Sequence, residues 1–213
     1  MRLVVCAGTH TEVGKTWVGA AVLADLRGRG RRVAARKPAQ SFDPEDGQPL
    51  DADVLGEATG EPGDVVCSPA RTYPVPMAPP MAAAALGRPV PTLAELLAEV
   101  RWPEPEVDVA WLETVGGPRS PIASDADAVD LVGAVAPSTV VLVADAGLGT
   151  INAVRLSVAP FRELGHDPIV VLNRFDAADD LHCRNAAWLH DLGIPALLTA
   201  TAVADRLDDL APG

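Results

Sequence analysis

Lysine is almost absent from this 213-residue chain: Lys15 and Lys37 stand against fifteen arginines. The two cations are near-equivalent on a solvated surface, and this sequence uses arginine there. Its two lysines therefore point to places where a compact ammonium on a flexible stem differs from a planar guanidinium fork. Aromatic residues are scarce too, at 4%, and acidic residues exceed basic ones to a net charge of −12. A general nucleic-acid surface needs a basic stripe and stacking platforms, so both shortages argue against a nucleic-acid partner. A local nest of N–H groups, a lysine and a metal ion can still reverse the field and bind a polyanion.

Cysteine is limited to Cys6, Cys67 and Cys183, with no Cys-x-x-Cys pair. That set fits neither a disulfide framework nor a zinc site, and Cys6 is expected to pack inside an apolar strand. No apolar run approaches the roughly 20 residues that span a bilayer. The opening Met-Arg-Leu-Val-Val-Cys-Ala-Gly runs directly into a motif, without the pattern of a signal peptide. The expectation is a cytoplasmic protein with no membrane partner.

What the chain does have is alternation. Residues 3–7 form a wholly apolar run that suits a central parallel strand. Helical spacing follows over 16–27, then a strand at 32–36, closed by Lys37-Pro38, and a helix over 51–59. The proline-rich segment 62–91 reads as a long functional loop carrying one helix at 81–86. Thr92 and Glu95 form a capping-box pattern for a helix over 92–100. Strands are predicted at 107–112, 139–144, 168–172 and 196–198, and helices at 127–135, 151–164 and 180–192. Such alternation implies a mostly parallel central sheet with helices on both faces. Ligands in such a sheet bind at the carboxyl ends of the strands. Gly8, Lys37, Glu113, Asp145 and Asn173 all fall at predicted strand ends and should share one edge.

Gly8-Thr-His-Thr-Glu-Val-Gly14-Lys15-Thr16 lies between a strand and a helix, the context that a phosphate-binding loop requires. Five residues separate the glycines here, where about four are usual. The fold expected over residues 1–213 is therefore a single-domain α/β P-loop NTPase-like fold. Loop N–H groups and the helix N-terminus would cradle phosphates, Lys15 would neutralise the β- and γ-phosphates, and Thr16 Oγ1 would ligate Mg²⁺. Magnesium also takes one or two carboxylates. Glu113, ending an apolar strand, and Asp53, early on the helix after the second strand, are the candidates. Asp51 stands beside Asp53, and either is placed to cap that helix. His10 inside the loop is expected to face solvent.

Together these motifs resemble the dethiobiotin synthetase family of ATP-dependent P-loop enzymes. The resemblance runs from the N-terminus to about residue 175. It rests on the loop at 8–16, on Lys37-Pro38-Ala39-Gln40-Ser41, on Asp51-Ala52-Asp53 and on Pro76-Met77-Ala78-Pro79-Pro80-Met81-Ala82-Ala83. Glu113-Thr114-Val115-Gly116-Gly117, Leu148-Gly149-Thr150-Ile151-Asn152 and Asn173 complete it. The resemblance implies ATP as co-substrate and Mg²⁺ as cofactor, with 7,8-diaminopelargonic acid and CO₂ closed to dethiobiotin. It implies catalytic roles for Lys15 and Lys37 and a metal site of Thr16, Asp53 and Glu113. Glu12, Val13, Gly14, Lys15, Thr16, Trp17, Glu113, Gly116 and Asn173 would bind nucleotide, with Asn173 reading the base, and Ser41 would contact the diamine. It further implies a homodimer with shared active sites, in which Gly149, Thr150, Ile151 and Asn152 of the second subunit receive the substrate carboxylate.

The chain departs from the family pattern in two places. Thr114-Val115 stand where the pattern has Gly-Ala, and Leu198 to Val203 replace a Gly-Glu-Ile-Pro-like segment that helps to hold the base. These departures keep a non-catalytic nucleotide-binding relative as an alternative. A partition-type ATPase is another, although its loop usually carries a further lysine where this chain has Gly8-Thr9-His10. A cobyrinic-type amidating enzyme needs a glutamine-hydrolysing domain, and only 40 residues follow Asn173.

Overall fold

Val4, Val5, Cys6 and Ala7 are fully buried, because a central parallel strand is covered on both faces and each residue, inward or outward, meets a helix layer. They belong to β1 (Arg2–Gly8) of a computed structural model that describes residues 1–209. The last four positions of the expected 1–213 unit lie outside the described residues. After β1 come α1 (Lys15–Gly28), β2 (Val33–Arg36), β3 (Gln40–Ser41), α2 (Asp51–Thr59), α3 (Gly63–Val66) and a 3₁₀ turn (Pro69–Arg71). Next are β4 (Thr72–Tyr73), α4 (Pro79–Ala85), α5 (Leu93–Glu99), β5 (Val109–Glu113), α6 (Ala128–Val135) and β6 (Thr139–Asp145). The described chain ends with α7 (Thr150–Glu163), β7 (Ile169–Asn173), α8 (Asp180–Asp191), β8 (Ala196–Leu197) and α9 (Ala200–Asp209).

Six strands form one parallel sheet in the order β2-β5-β1-β6-β7-β8. Helices α1, α2 and α9 pack on one face through Val18, Val22, Leu55 and Val203. Helices α6, α7 and α8 pack on the other through Leu131, Val154, Phe161 and Leu189. Each such side chain contributes about 1.5–3 kcal/mol when fully buried. Register sets the functional edge: Cys6 pairs with Glu113, Gly8 with Val143, and Asp145 with Asn173. The strand-end residues named from sequence therefore do share one edge.

Local signals place the helices well. Thr92 accepts from Glu95 N while Glu95 returns to Thr92 N, and Asp127 makes the same reciprocal box with Asp130. Two features differ from expectation. The segment at 62–91 holds more than one helix: its β4 pairs in parallel with β3, joining Gln40 to Thr72 and Ser41 to Tyr73. Strands of two residues carry no readable period. The second difference is α9, which was not predicted. Thr199 Oγ1 accepts from Ala202 N in the manner of an N-cap, and Val203, Ala204 and Leu207 are buried at helical spacing.

Candidate active site

The loop from Gly8 to Gly14 turns tightly at its end. Gly14 has φ 89°, a conformation that L side chains rarely adopt. A β-carbon there would also lie 2.1 Å from Asn173 Nδ2. Glu12 takes φ 65° as well. The strained turn leaves the first N–H groups of α1 directed out of the sheet edge, where a helix N-terminus favours anions.

Lys15 opens α1 and is nearly buried. Its Nζ donates to His10 O at 3.3 Å and to Gly116 O at 3.2 Å. The ammonium is thus held between the phosphate loop and the loop after β5. Burial first, and then repulsion from Lys37, lower its pKa.

Lys37 leaves β2 with its backbone N donating to Val66 O at 2.8 Å. Its Nζ reaches Glu113 Oε1 at 2.6 Å and Asp51 Oδ2 at 2.7 Å. Burial would lower this ammonium's pKa, but the charges of Asp51 and Glu113 outweigh it and hold the pKa above the usual lysine value. Asp51 answers in kind: desolvation would raise it, and Lys37 pulls it below the ordinary aspartate value. Thr16 Oγ1 donates to the same Glu113 Oε1 at 2.8 Å.

Glu113 is fully buried, and its second oxygen, Oε2, has no hydrogen-bond partner. An orphaned carboxylate oxygen in that position calls for a donor or a cation. With Thr16 Oγ1 and Asp51 it makes a hard oxygen set suited to Mg²⁺, which takes one or two carboxylates and completes its shell with phosphate and water. Among the described residues no group of three or more His, Cys, Asp or Glu gathers, so the set does not resemble a zinc site.

The expected metal position Asp53 is corrected. It is exposed, and its carboxylate lies at Gly63, where an added β-carbon would be 2.0 Å from Asp53 Oδ1. Residues two apart on a helix do not share a face, so only one of Asp51 and Asp53 can meet Lys37. Sequence showed the pair but not the rotation of α2 that selects Asp51.

The other expected residues are distributed along the same edge. Ser41 Oγ donates to Met77 O at 2.5 Å, tying β3 to the proline-rich segment. Gly116 has φ 57°, and its neighbour Gly117 lies so close to the phosphate loop that a β-carbon would be 2.8 Å from Thr9 O. Asn173 is buried and donates its Nδ2 to Val13 O at 2.9 Å. That bond shapes the loop and leaves the second Nδ2 hydrogen and Oδ1 for a base. Gly149, at φ 94°, opens α7 with Thr150 buried, Ile151 half-buried and Asn152 exposed; this group follows β6, apart from the lysine cluster of the same chain. Trp17 is exposed and His10 faces solvent.

One further residue acts on the loop without having been singled out. Arg174, at φ 57°, donates Nη2 to Glu12 O at 3.2 Å and pairs through Nη1 with Asp145 Oδ2 at 3.3 Å. Its adjacency to Asn173 was the only available signal. The Thr114-Val115 departure turns inward. Thr114 is fully buried and donates its N to Cys6 O at 2.9 Å, and Val115 packs on the α6–α7 side of the core.

Residues 2–200 match a family model described as an AAA domain. The chain is 38% identical over 184 residues to the ATP-dependent dethiobiotin synthetase BioD of Anaeromyxobacter dehalogenans (strain 2CP-C), covering 84% of this chain and 80% of the relative. It is 34% identical over 215 residues to the enzyme of the same name from Streptomyces coelicolor, covering 99% of this chain and 88% of that one. Among solved structures, a putative plasmid partition protein from Borrelia burgdorferi B31 bound to AMPPNP aligns with TM-score 0.54 at 13% identity, over 89% of this chain and 82% of that chain. The signal recognition particle receptor FtsY from Elizabethkingia anophelis, in complex with GDP, aligns with TM-score 0.52 at 15% identity over 97% of this chain, which spans only 63% of the receptor chain. At these identities the structural likeness speaks for the fold alone.

Proposed function

The chain belongs to the ATP-dependent dethiobiotin synthetase family, and we propose that it closes the ureido ring of dethiobiotin from 7,8-diaminopelargonic acid, CO₂ and ATP. The observation that carries this reading is the convergence of Lys15, Thr16, Lys37, Asp51 and Glu113 at one strand edge. That set suits phosphoryl transfer, where positioning and charge neutralisation do most of the work.

In the proposed sequence one substrate amine adds to CO₂ and loses a proton, giving a carbamate. A carbamate oxygen attacks the γ-phosphorus, the bond to the bridging oxygen breaks, and ADP leaves. The second amine then attacks the carbonyl carbon of the mixed anhydride, expelling phosphate and closing the ring. Lys15 would follow the transferring phosphoryl oxygens. Lys37, held fully charged by its acids, would orient the carbamate and offset its charge. Thr16, Asp51 and Glu113 would hold Mg²⁺, which when bound supplies positive charge to the phosphate oxygens. Ser41 would contact the diamine.

The homodimer and the cytoplasmic setting belong to the same proposal. Leu148 is 92% exposed and Leu156 68%, an apolar approach to the α7 N-terminus suited to a second copy. Gly149 to Asn152 of that copy would receive the substrate carboxylate at the helix N-terminus. Among the described residues no helix is long and apolar enough to cross a membrane.

The test is phosphate release with and without the diamine, in the presence of bicarbonate, Mg²⁺ and ATP. Release that requires the diamine supports the reading; hydrolysis indifferent to it refutes it and favours a partition-type ATPase.

A further inference from the structure

The helix that carries Asp51 starts without a cap of its own. Leu50 stands at the N-cap of α2 and supplies no side-chain acceptor, although a helix start leaves backbone N–H groups without intrahelical partners. The acceptor comes from another element. Gln40, in β3, accepts from Ala52 N through Oε1 at 3.1 Å, and Ala52 directly follows Asp51.

Gln40 is held at its other end as well. Its Nε2 donates to Thr72 Oγ1 at 3.0 Å, and that hydroxyl donates on to Ser68 O at 3.1 Å. The backbone of Gln40 is paired with Thr72 in the β3–β4 ladder, which Tyr73 anchors by packing with Ala39, Ala82 and Ala83. Gln40 is 2% exposed. Only one orientation suits this buried amide, because reversing it would set its NH₂ against the Ala52 N–H, two donors face to face.

Its place in the chain gives these bonds their consequence. Lys37 comes three residues before Gln40, and Ser41 comes next after it. One amide therefore joins the segment that carries Lys37 and Ser41 to the helix turn that carries Asp51, whose Oδ2 lies 2.7 Å from Lys37 Nζ. Ala52 and Leu55 seat α2 on the core, but apolar burial is non-directional. A hydrogen bond to the first turn has a preferred distance and angle and sets where that turn stands.

We propose that Gln40 is a positioning residue for phosphoryl transfer: it holds the first turn of α2 so that Asp51 meets Lys37. This rests on the reading of Lys37, Asp51 and Glu113 as the phosphoryl-transfer cluster and adds to it the group that sets its geometry.

Turnover and urea unfolding of full-length Gln40→Met, Gln40→Glu, Asp51→Asn and the Gln40→Met/Asp51→Asn double variant test it. Methionine is similar in length and lacks the amide oxygen, whereas glutamate keeps an acceptor oxygen whether ionised or protonated. In Gln40→Met, kcat for diamine-dependent phosphate release should fall roughly tenfold, with the KM for ATP kept within a factor of about three. Gln40→Glu should recover kcat to within about threefold of the original chain, and in the Asp51→Asn background the methionine change should cost less than about threefold. A lower urea midpoint in Gln40→Met with kcat unchanged overturns the proposal. So does a full tenfold loss in the Asp51→Asn background, or a glutamate variant as slow as methionine. An original chain whose phosphate release ignores the diamine overturns the synthetase reading instead. The urea data then decide the positioning role by themselves: the double variant should lose less stability than the sum of the two single ones, and strict additivity overturns it.

Discussion

Lys37 Nζ lies 2.6 Å from Glu113 Oε1, and both groups are buried beneath the phosphate-binding edge. A buried pair of this kind is costly to break from one side, because the remaining charge has lost its compensation. The same pairing fixes the ammonium at the edge where the phosphoryl group would be transferred.

Lys37→Arg tests position against charge. Arginine keeps the positive charge, so the variant should fold, but its planar fork cannot occupy the site of a point charge between Glu113 and Asp51. Turnover should fall by roughly 10²-fold or more, the usual cost of removing one preorganised electrostatic group. Steady-state kinetics with the diamine, alongside circular dichroism, checks it; turnover within a factor of about three would return Lys37 to a structural role.

Asp51 and Asp53 should separate cleanly. Asp51→Asn weakens the hold on Lys37 and removes a metal donor, so the Mg²⁺ concentration for half-maximal activity should rise by roughly 10-fold or more. Asp53→Asn, on the other face of α2, should leave that titration unchanged. Equal effects in both variants would refute the rotation of α2 described above.

The charges of the site set a pH dependence of stability. The Asp51 pKa is lowered in the fold, so its contribution is present above the unfolded value of about 3.9 and is lost as pH falls through the folded value. The Lys37 pKa is raised, so its contribution is present below about 10.4 and is lost only as pH rises through the folded value. Lys15 has the opposite sign: its lowered pKa means that its charge opposes folding at neutral pH. Lys15→Met should therefore raise the urea midpoint at pH 7 while weakening nucleotide binding, with the stability gain shrinking as pH rises. A lower midpoint at pH 7 would contradict the sign.

Gly14→Ala should destabilise the chain by about 1–3 kcal/mol through backbone strain alone, with a further cost from the 2.1 Å approach to Asn173 Nδ2. Adding Asn173→Ala should relieve the contact but not the strain at φ 89°, so the double variant should cost less than the sum of the two single ones. Strict additivity in urea unfolding would show that the two residues do not meet.

Leu156→Arg tests the proposed pairing of subunits. A charge on an apolar face meant for a second copy should shift sedimentation towards the monomer and raise the KM for the diamine at least about fivefold, with nucleotide binding kept. A monomeric original chain with full activity would refute the shared site.

The sequence by itself determined the main alternation of strands and helices, the phosphate loop and the lysine that closes it. Apolar runs, helical spacing and a strand–glycine–helix context are local properties that survive without a partner segment. It also placed Lys37 and Glu113 at strand ends, and parallel strands bring such ends to one edge. The tertiary structure alone decided that Lys37 and Glu113, 76 positions apart, touch. It chose Asp51 over Asp53 by the rotation of α2, and it tied the Asn173 amide to the phosphate loop through Val13 O. It packed the helix Ala200–Asp209 against the sheet by burying Val203, Ala204 and Leu207. Each of these depends on how one element packs against another, and a linear pattern holds no record of that angle.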